Sequence, residues 1–137
     1  MMIEAHEGSC QCGWVKFRAT AQPRDVHHCH CSMCRRATGG AFATLAWYKD
    51  AQIAWLTNQP ASFRSSDIAR RGYCPHCGSP IYLKYDLSTD IGLMIGVFAA
   101  PETLPPTHHY GVEAKIGWLH VDDDLPQEVT AADPRPS

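Results

Sequence analysis

The chain has 137 residues, of which 45% are hydrophobic and 19% charged, and 12 basic residues against 14 acidic residues give a net charge of −2. This is the composition of one globular domain with a core of its own, and it excludes a collagen-like or intrinsically disordered chain. The near-neutral charge argues against a nucleic-acid-binding or membrane-surface protein, and no apolar run approaches the ~20 residues of a membrane span. The first residues lack the basic and apolar segments of a secretory signal, so we expect a cytoplasmic protein.

Short apolar segments separated by turns predict a mainly β fold with little helix. In chain order, strands are predicted at residues 14–19, 41–47, 53–56, 80–85 and 91–98. A single helical segment is predicted over residues 32–38, because Gly39 can adopt the left-handed conformation that commonly ends a helix. Ten prolines and ten glycines disfavour long helices elsewhere.

The last third of the chain is less regular. Residues 99–106 are rich in proline and predict a connection, and residues 118–121 predict the last structured segment. Residues 127–137 are polar and contain little that could be buried, so they predict a mobile, dispensable acidic tail. The domain is therefore predicted to span residues 1–126.

Seven cysteines fall into three groups with the spacing of metal ligands. The groups are Cys10 and Cys12, then Cys29, Cys31 and Cys34, then Cys74 and Cys77. In an extended segment residues i and i+2 point to the same face, so each Cys-x-Cys pair presents two sulfurs together. A disulfide within so short a loop would be strained, and thiols in the cytosol are normally reduced. The spacing therefore predicts metal binding rather than disulfide bonds.

The seven ligands divide most simply into four and three. The first and third groups together, called here the four-cysteine site, form a closed set of four sulfurs, which is typical of structural zinc. The second group, called the cysteine triplet, leaves one coordination position open, as in catalytic zinc sites. Two alternatives stay open: three buried free thiols beside one structural zinc, or a histidine that completes the triplet. His28 and His30 neighbour the triplet, but strand alternation turns them to the opposite face from Cys29.

The cysteines lie in three recognisable motifs, GSCQCG at residues 8–13, HCHCSMCRRATG at 28–39 and RGYCPHCGSP at 71–80. With these motifs the chain resembles the glutathione-dependent formaldehyde-activating enzyme family over residues 8–126. Tyr73 stands where the family more usually has Phe, and both side chains fill the same space. The resemblance implies an Mss4-like β-tent fold of short antiparallel strands organised around zinc. It also implies two Zn²⁺ ions per chain, with the four-cysteine site structural and the cysteine triplet at the open zinc.

The resemblance further implies a reaction. Zinc with an open position can hold a substrate thiol as the thiolate or polarise an aldehyde oxygen. The family name implies that glutathione is joined to formaldehyde, which is a carbon–sulfur lyase reaction in reverse. His109, which matches the family's closing segment, or water is expected to move the proton, so the catalytic candidates are the triplet and His109. The sequence leaves open whether another thiol or another small aldehyde is used, and it does not give the oligomeric state.

Glutathione carries two carboxylates, so we expect cations in its binding site. The candidates follow the triplet or precede the Cys74–Cys77 pair: Arg35, Arg36, Arg70 and Arg71. The alternative is that these arginines are solvated surface or counter-charges for the thiolates. Trp47, Trp55 and Trp118 are expected in the core and are given no binding role. The competing function is a non-enzymatic zinc-binding module with a binding or chaperone-like role. The intact third cysteine of the triplet argues against it, because a scaffold does not need an open metal.

Overall fold

A computed structural model describes residues 5–132, which form eleven β-strands and one α-helix. Three strands make a small antiparallel sheet in the order β1-β2-β5, namely β1 (His6–Ser9), β2 (Lys16–Ala19) and β5 (Ile53–Trp55). The other strands are β3 (Asp25–Cys29), β4 (Ala43–Lys49), β6 (Ala61–Ser66), β7 (Ala69–Tyr73), β8 (Pro80–Tyr85), β9 (Asp90–Met94), β10 (His108–Tyr110) and β11 (Gln127–Glu128). They form one large sheet in the order β11-β10-β3-β4-β9-β8-β7-β6. The prediction of a mainly β fold is confirmed.

The helix α1 (Ser32–Thr38) has the predicted bounds, and Gly39 ends it with a φ of 74°. At seven residues α1 is far too short to cross a membrane, and no other helix within residues 5–132 could do so. The apolar run at 91–98 is strand only as far as Met94, after which a short 3-10 turn, Ile95–Val97, takes the chain away from the sheet.

The central strands of the large sheet send alternate side chains to two different faces, as the period of a β-strand requires. One face packs against the small sheet, where Tyr48 and Leu93 meet Phe17 in a core in which all three are 0% exposed. The other face carries a second buried cluster that includes Cys29, Cys34, Leu45, Trp47 and Leu83. The large sheet therefore separates a purely structural core from the face that holds the cysteine triplet.

Strand register decides which side chains share the triplet's face. β3 pairs with β4 in an antiparallel arrangement that sets Cys29 opposite Ala43. β10 pairs with β3 in a parallel arrangement that sets His108 beside His27 and Tyr110 beside Cys29. His27, His108 and Tyr110 consequently lie on the same face as Cys29.

Gly92 on β9 makes room for a large ring on this face. A Cβ atom at position 92 would lie 2.8 Å from the indole of Trp47. Because that separation is shorter than any real carbon–carbon contact, only glycine lets Trp47 lie flat against the strand.

The first residues of the predicted tail pair with the large sheet, and the prediction that the tail is mobile and dispensable stays a prediction. Gln127–Glu128 is β11, which pairs in parallel with β10 at the edge of the large sheet. The Thr130 backbone N–H donates to the Glu113 carboxylate at 3.0 Å, and the Ala131 N–H donates to the Tyr110 hydroxyl at 2.8 Å. Backbone hydrogen bonds hold a segment that has almost no apolar side chains to bury. Residues 133–137 of the predicted tail lie outside the described residues.

The tryptophans do not all lie in the core. Trp47 is 4% exposed and Trp55 is half-buried, whereas Trp118 is 73% exposed, so the expectation for Trp118 is wrong. Residues 118–121 lie in turns and irregular chain rather than in a strand or helix.

Candidate functional site

The four-cysteine site is assembled from two distant parts of the chain. Cys10 and Cys12 lie in the turn between β1 and β2, and Cys74 and Cys77 lie in the turn between β7 and β8. Their four sulfurs lie within 4.8 Å of one another, with 3.6 Å between the first two and 3.8 Å from Cys12 Sγ to Cys74 Sγ. The two turns therefore join the small sheet to the large one through a set of sulfurs suited to a single tetrahedral ion.

Backbone and side-chain donors prepare two of these sulfurs, those of Cys10 and Cys77, to carry negative charge. The Val15 backbone N–H donates to Cys10 Sγ at 3.3 Å. Hydrogen bonds from the side chain and the backbone of Ser79 lower the pKa of the Cys77 thiol to about 5.

The cysteine triplet lies where β3 runs into α1. Cys29 ends β3, Cys31 is the N-cap residue of α1, and Cys34 lies within the first turn of the helix. Their sulfurs also lie within 4.8 Å of one another. The contiguous spacing of the triplet predicted this convergence, and in the structure the N-cap geometry of α1 turns the three sulfurs to one point.

Charge in the triplet is concentrated on Cys31. The Cys29 thiol donates to Cys31 Sγ at 3.4 Å, and the Cys34 backbone N–H donates to the same sulfur at 3.3 Å. The hydrogen bond from Cys29, with those from Cys34, holds the pKa of Cys31 far below its usual range, and the same shared proton raises the pKa of Cys29. The guanidinium of Arg71 adds a positive charge, with Nη2 at 3.5 Å from Cys34 Sγ.

Both sets fit zinc. Thiolates are soft anionic donors, which select Zn²⁺ over hard cations such as Mg²⁺ and Ca²⁺. Four sulfurs complete a tetrahedron, whereas three leave one position for another ligand.

The triplet lies at the floor of a cavity of about 350 Å³. Buried side chains line its inner part, among them Leu45, Trp47 and Leu83. Exposed residues such as Arg24 and Glu128 form its rim. The open side of the triplet therefore faces a pocket large enough for a small organic molecule.

Of the four predicted arginines, only Arg71 lines the cavity. Its neighbour Arg70 points to the opposite face of β7 and is exposed, because successive strand residues alternate. Arg35 donates from Nη1 to the Ala114 carbonyl at 2.7 Å, and Arg36 is exposed on α1. The expectation that all four arginines gather around one anion is therefore not met by the geometry.

His109 does not reach the cavity either. It is 2% exposed and lies on the face of β10 opposite to His108. Its Nδ1 lies 2.8 Å from His30 Nε2, and its Nε2 lies 2.8 Å from a carboxylate oxygen of Asp123. Burial lowers the pKa of His30 to about 4, so His30 is neutral and the group forms a hydrogen-bonded chain on the far side of the sheet. As predicted, His28 and His30 face away from Cys29.

Sequence reasoning missed two histidines that do line the cavity. His27 and His108 lie side by side, with ring centres 5.1 Å apart, and Asp25 Oδ2 lies 3.1 Å from His27 Nδ1. In an extended segment, every second residue before Cys29 lies on the same face as Cys29, and these residues are His27 and Asp25. Strand alternation was therefore a signal that could have found His27 and Asp25. Nothing local to residue 108 points to the cavity, because its place depends on the pairing of β10 with β3.

Comparison with known proteins identifies relatives. The family model described as "Glutathione-dependent formaldehyde-activating enzyme" matches residues 5–113. An uncharacterised lyase of Schizosaccharomyces pombe is 26% identical over 80 residues, which cover 58% of this chain and 58% of the yeast protein. A Halomonas elongata protein that is assigned provisionally as a glutathione-dependent formaldehyde-activating enzyme is 29% identical over 85 residues, covering 56% of this chain and 54% of its own. The matches thus span little more than half the length of these curated relatives.

A solved structure supports the fold. The crystal structure of a Rhodobacter sphaeroides protein matches with a TM-score of 0.54 and 16% sequence identity, covering 88% of this chain and 98% of that one. At this identity the likeness concerns the fold alone.

Proposed function

Because the chain belongs to the glutathione-dependent formaldehyde-activating enzyme family, we propose that it is a zinc-dependent carbon–sulfur lyase-type enzyme that joins glutathione to formaldehyde or a related aldehyde. The observation that carries the proposal is the cysteine triplet at the floor of a cavity. Zinc bound by three thiolates keeps a coordination position for a substrate thiol and lowers the pKa of that thiol. The four-cysteine site, with its full set of four sulfurs, holds a second, structural zinc.

The residues around the triplet have separate tasks. Arg71 offsets the negative charge of the thiolates through its contact with Cys34. Arg71 Nη1 is buried and lacks a hydrogen-bond partner among the described residues, so a donor remains for the oxygen of the aldehyde as negative charge develops on it. This assigns Arg71 to the reacting oxygen rather than to a glutathione carboxylate.

A proton must reach that oxygen when the adduct forms. We assign the transfer to His108, because its imidazole lines the cavity and lies beside Asp25 and Glu128, each at 3.6 Å. The burial of His109 on the other face of the sheet supports His108 rather than His109 for this task. The role of His109 is to hold Asp123, and with it the segment that leads to β11.

The test is a measurement of exchange between free formaldehyde and its glutathione adduct, by NMR exchange spectroscopy, with the zinc-loaded chain present at catalytic concentration. We expect exchange faster than the spontaneous rate, and a return to the spontaneous rate in Cys34→Ser. Arg36→Ala, which changes an exposed residue on the same helix, is the matched control and should retain full activity. A folded, two-zinc protein that never exceeds the spontaneous rate would support the binding-module alternative instead.

A further inference from the structure

The inner wall of the cavity is aromatic and aliphatic. Leu45, Trp47 and Leu83 are each less than 5% exposed, and Tyr85 and Tyr110 complete the lining. The rings of Trp47 and Tyr85 stack at 6.3 Å between centres with an angle of 12° between their planes. Such walls are typical of sites that take an apolar group from a small molecule, with a few polar groups to orient it.

The cavity is much larger than formaldehyde. Formaldehyde has two heavy atoms and needs roughly 60 Å³ if each takes about the 30 Å³ of a water molecule. The cavity measures about 350 Å³. By the same rough measure, an aldehyde of about ten heavy atoms needs about 300 Å³ and would fill it.

The basic side chains in the cavity leave few unpaired positive charges to bind the two carboxylates of glutathione. Each of the four cationic or titratable basic side chains in the lining already faces an anionic group: Arg71 faces Cys34, Arg24 faces Asp90 at 3.1 Å, His27 faces Asp25, and His108 faces Asp25 and Glu128. Burying a carboxylate without a partner of its own is costly. The polar arms of glutathione therefore belong at the exposed rim, and only its sulfur reaches the triplet.

We infer that the aldehyde accepted by this cavity carries an apolar, aryl-type substituent that lies against Trp47 and Tyr85, rather than being formaldehyde itself. This inference rests on the proposed function, because it names the second substrate of the same site. The glutathione sulfur gives an electron pair to the carbonyl carbon and forms the C–S bond. The π pair of the C=O bond moves to oxygen, which takes up one proton in place of the one that the thiol released. The product is a hemithioacetal, and neither an oxidant nor a reductant is required.

The experiment compares 3-phenylpropanal with formaldehyde, using glutathione and the zinc-loaded full chain. We expect kcat/KM to favour 3-phenylpropanal by roughly 10- to 100-fold, which is the range that burial of an apolar group of this size gives. Equal values, or a preference for formaldehyde, would overturn the inference while leaving the proposed function intact.

Two variants locate the effect. Trp47→Leu should lower the preference for 3-phenylpropanal at least several-fold. The matched control is Trp55→Leu, which changes a residue in β5 of the small sheet, outside the cavity, and should leave the preference unchanged. Met33 lines the cavity but is 55% exposed, so Met33→Ser tests the same wall without endangering the fold. An unchanged preference in both Trp47→Leu and Met33→Ser contradicts the inference.

If neither aldehyde reacts, the proposed function has failed. A separate binding measurement then still tests the inference about the cavity. The unreactive alcohol 3-phenylpropanol should quench tryptophan fluorescence in the parent chain and in Trp55→Leu but not in Trp47→Leu. Quenching with this pattern assigns the cavity to an aryl ligand independently of the condensation. No quenching in any of the three proteins overturns that assignment.

Discussion

Replacing one ligand in each cysteine set should have opposite consequences for folding. Cys12→Ser and Cys31→Ser are matched, since each removes one sulfur from a Cys-x-Cys pair and substitutes a residue of similar size. Cys12 is exposed, so its replacement removes almost no packing, and any unfolding reports the loss of the ligand. Cys31 is the N-cap of α1, where serine is among the most favourable residues, so the helix remains capped in Cys31→Ser.

The size of the effect follows from what the four-cysteine site connects. It joins turns 62 residues apart and packs Cys10 and Cys74 into the main core, at 4% and 0% exposed. Structural zinc contributes about 10–16 kcal/mol of apparent binding free energy in small zinc peptides, against a net stability of about 5–15 kcal/mol for typical domains. Loss of that contribution is as large as the whole net stability of a typical domain, so we expect Cys12→Ser to be largely unfolded.

Metal analysis gives the number of zinc ions per chain, and circular dichroism shows whether the chain is folded. The parent chain should hold two zinc ions, Cys31→Ser should be folded with one, and Cys12→Ser should be insoluble or lack the β-sheet signal. A folded Cys12→Ser protein with both ions would falsify the assignment of the structural site. An unfolded Cys31→Ser protein would show that the triplet, rather than the four-cysteine site, maintains the fold.

Four further substitutions test the remaining assignments. Arg71→Leu should lower kcat/KM for condensation by roughly 100-fold because the donor for the developing oxyanion is lost; a rate equal to that of Arg36→Ala would contradict this role. His108→Gln should lower kcat by about 100-fold with little change in the free energy of unfolding, whereas His109→Gln should cost about 1–3 kcal/mol of stability, measured by urea titration, because it leaves buried partners unpaired. Tyr48→Phe should stabilise the chain by about 1 kcal/mol, because the buried Tyr48 hydroxyl lacks a hydrogen-bond partner among the described residues. Burial raises the pKa of Tyr48, so this tyrosine stays protonated in the folded state while the unfolded chain ionises near pH 10. The gain from Tyr48→Phe should therefore grow as the pH rises above 10, and a gain that is constant or shrinks there would refute the explanation.

Local sequence determined those features of the protein that depend only on residues a few positions apart in the chain. The spacing of the cysteines predicted which sulfurs lie together within each motif, because residues i and i+2 of an extended segment point to one face. The joining of two turns 62 residues apart into the four-cysteine site depends on the tertiary fold. The same local rules predicted α1 with its glycine end, and they turned His28 and His30 away from Cys29. Family resemblance added the fold and the class of reaction.

Tertiary structure alone decided what surrounds the open triplet. The parallel register of β10 against β3 brings His108 to the cavity and turns the adjacent His109 to the other face, a choice that a shift of one residue would reverse. The alternation of β7 likewise selects Arg71 over Arg70, and Gly92 lets Trp47 form an aromatic wall. The tail from Gln127 was predicted to be mobile because it has little to bury, but the unpaired edge of β10 supplied backbone hydrogen bonds that composition does not reveal. Sequence therefore determined which residues can bind a metal, whereas strand pairing between distant segments determined which residues line the cavity, because pairing depends on backbone groups that every residue shares.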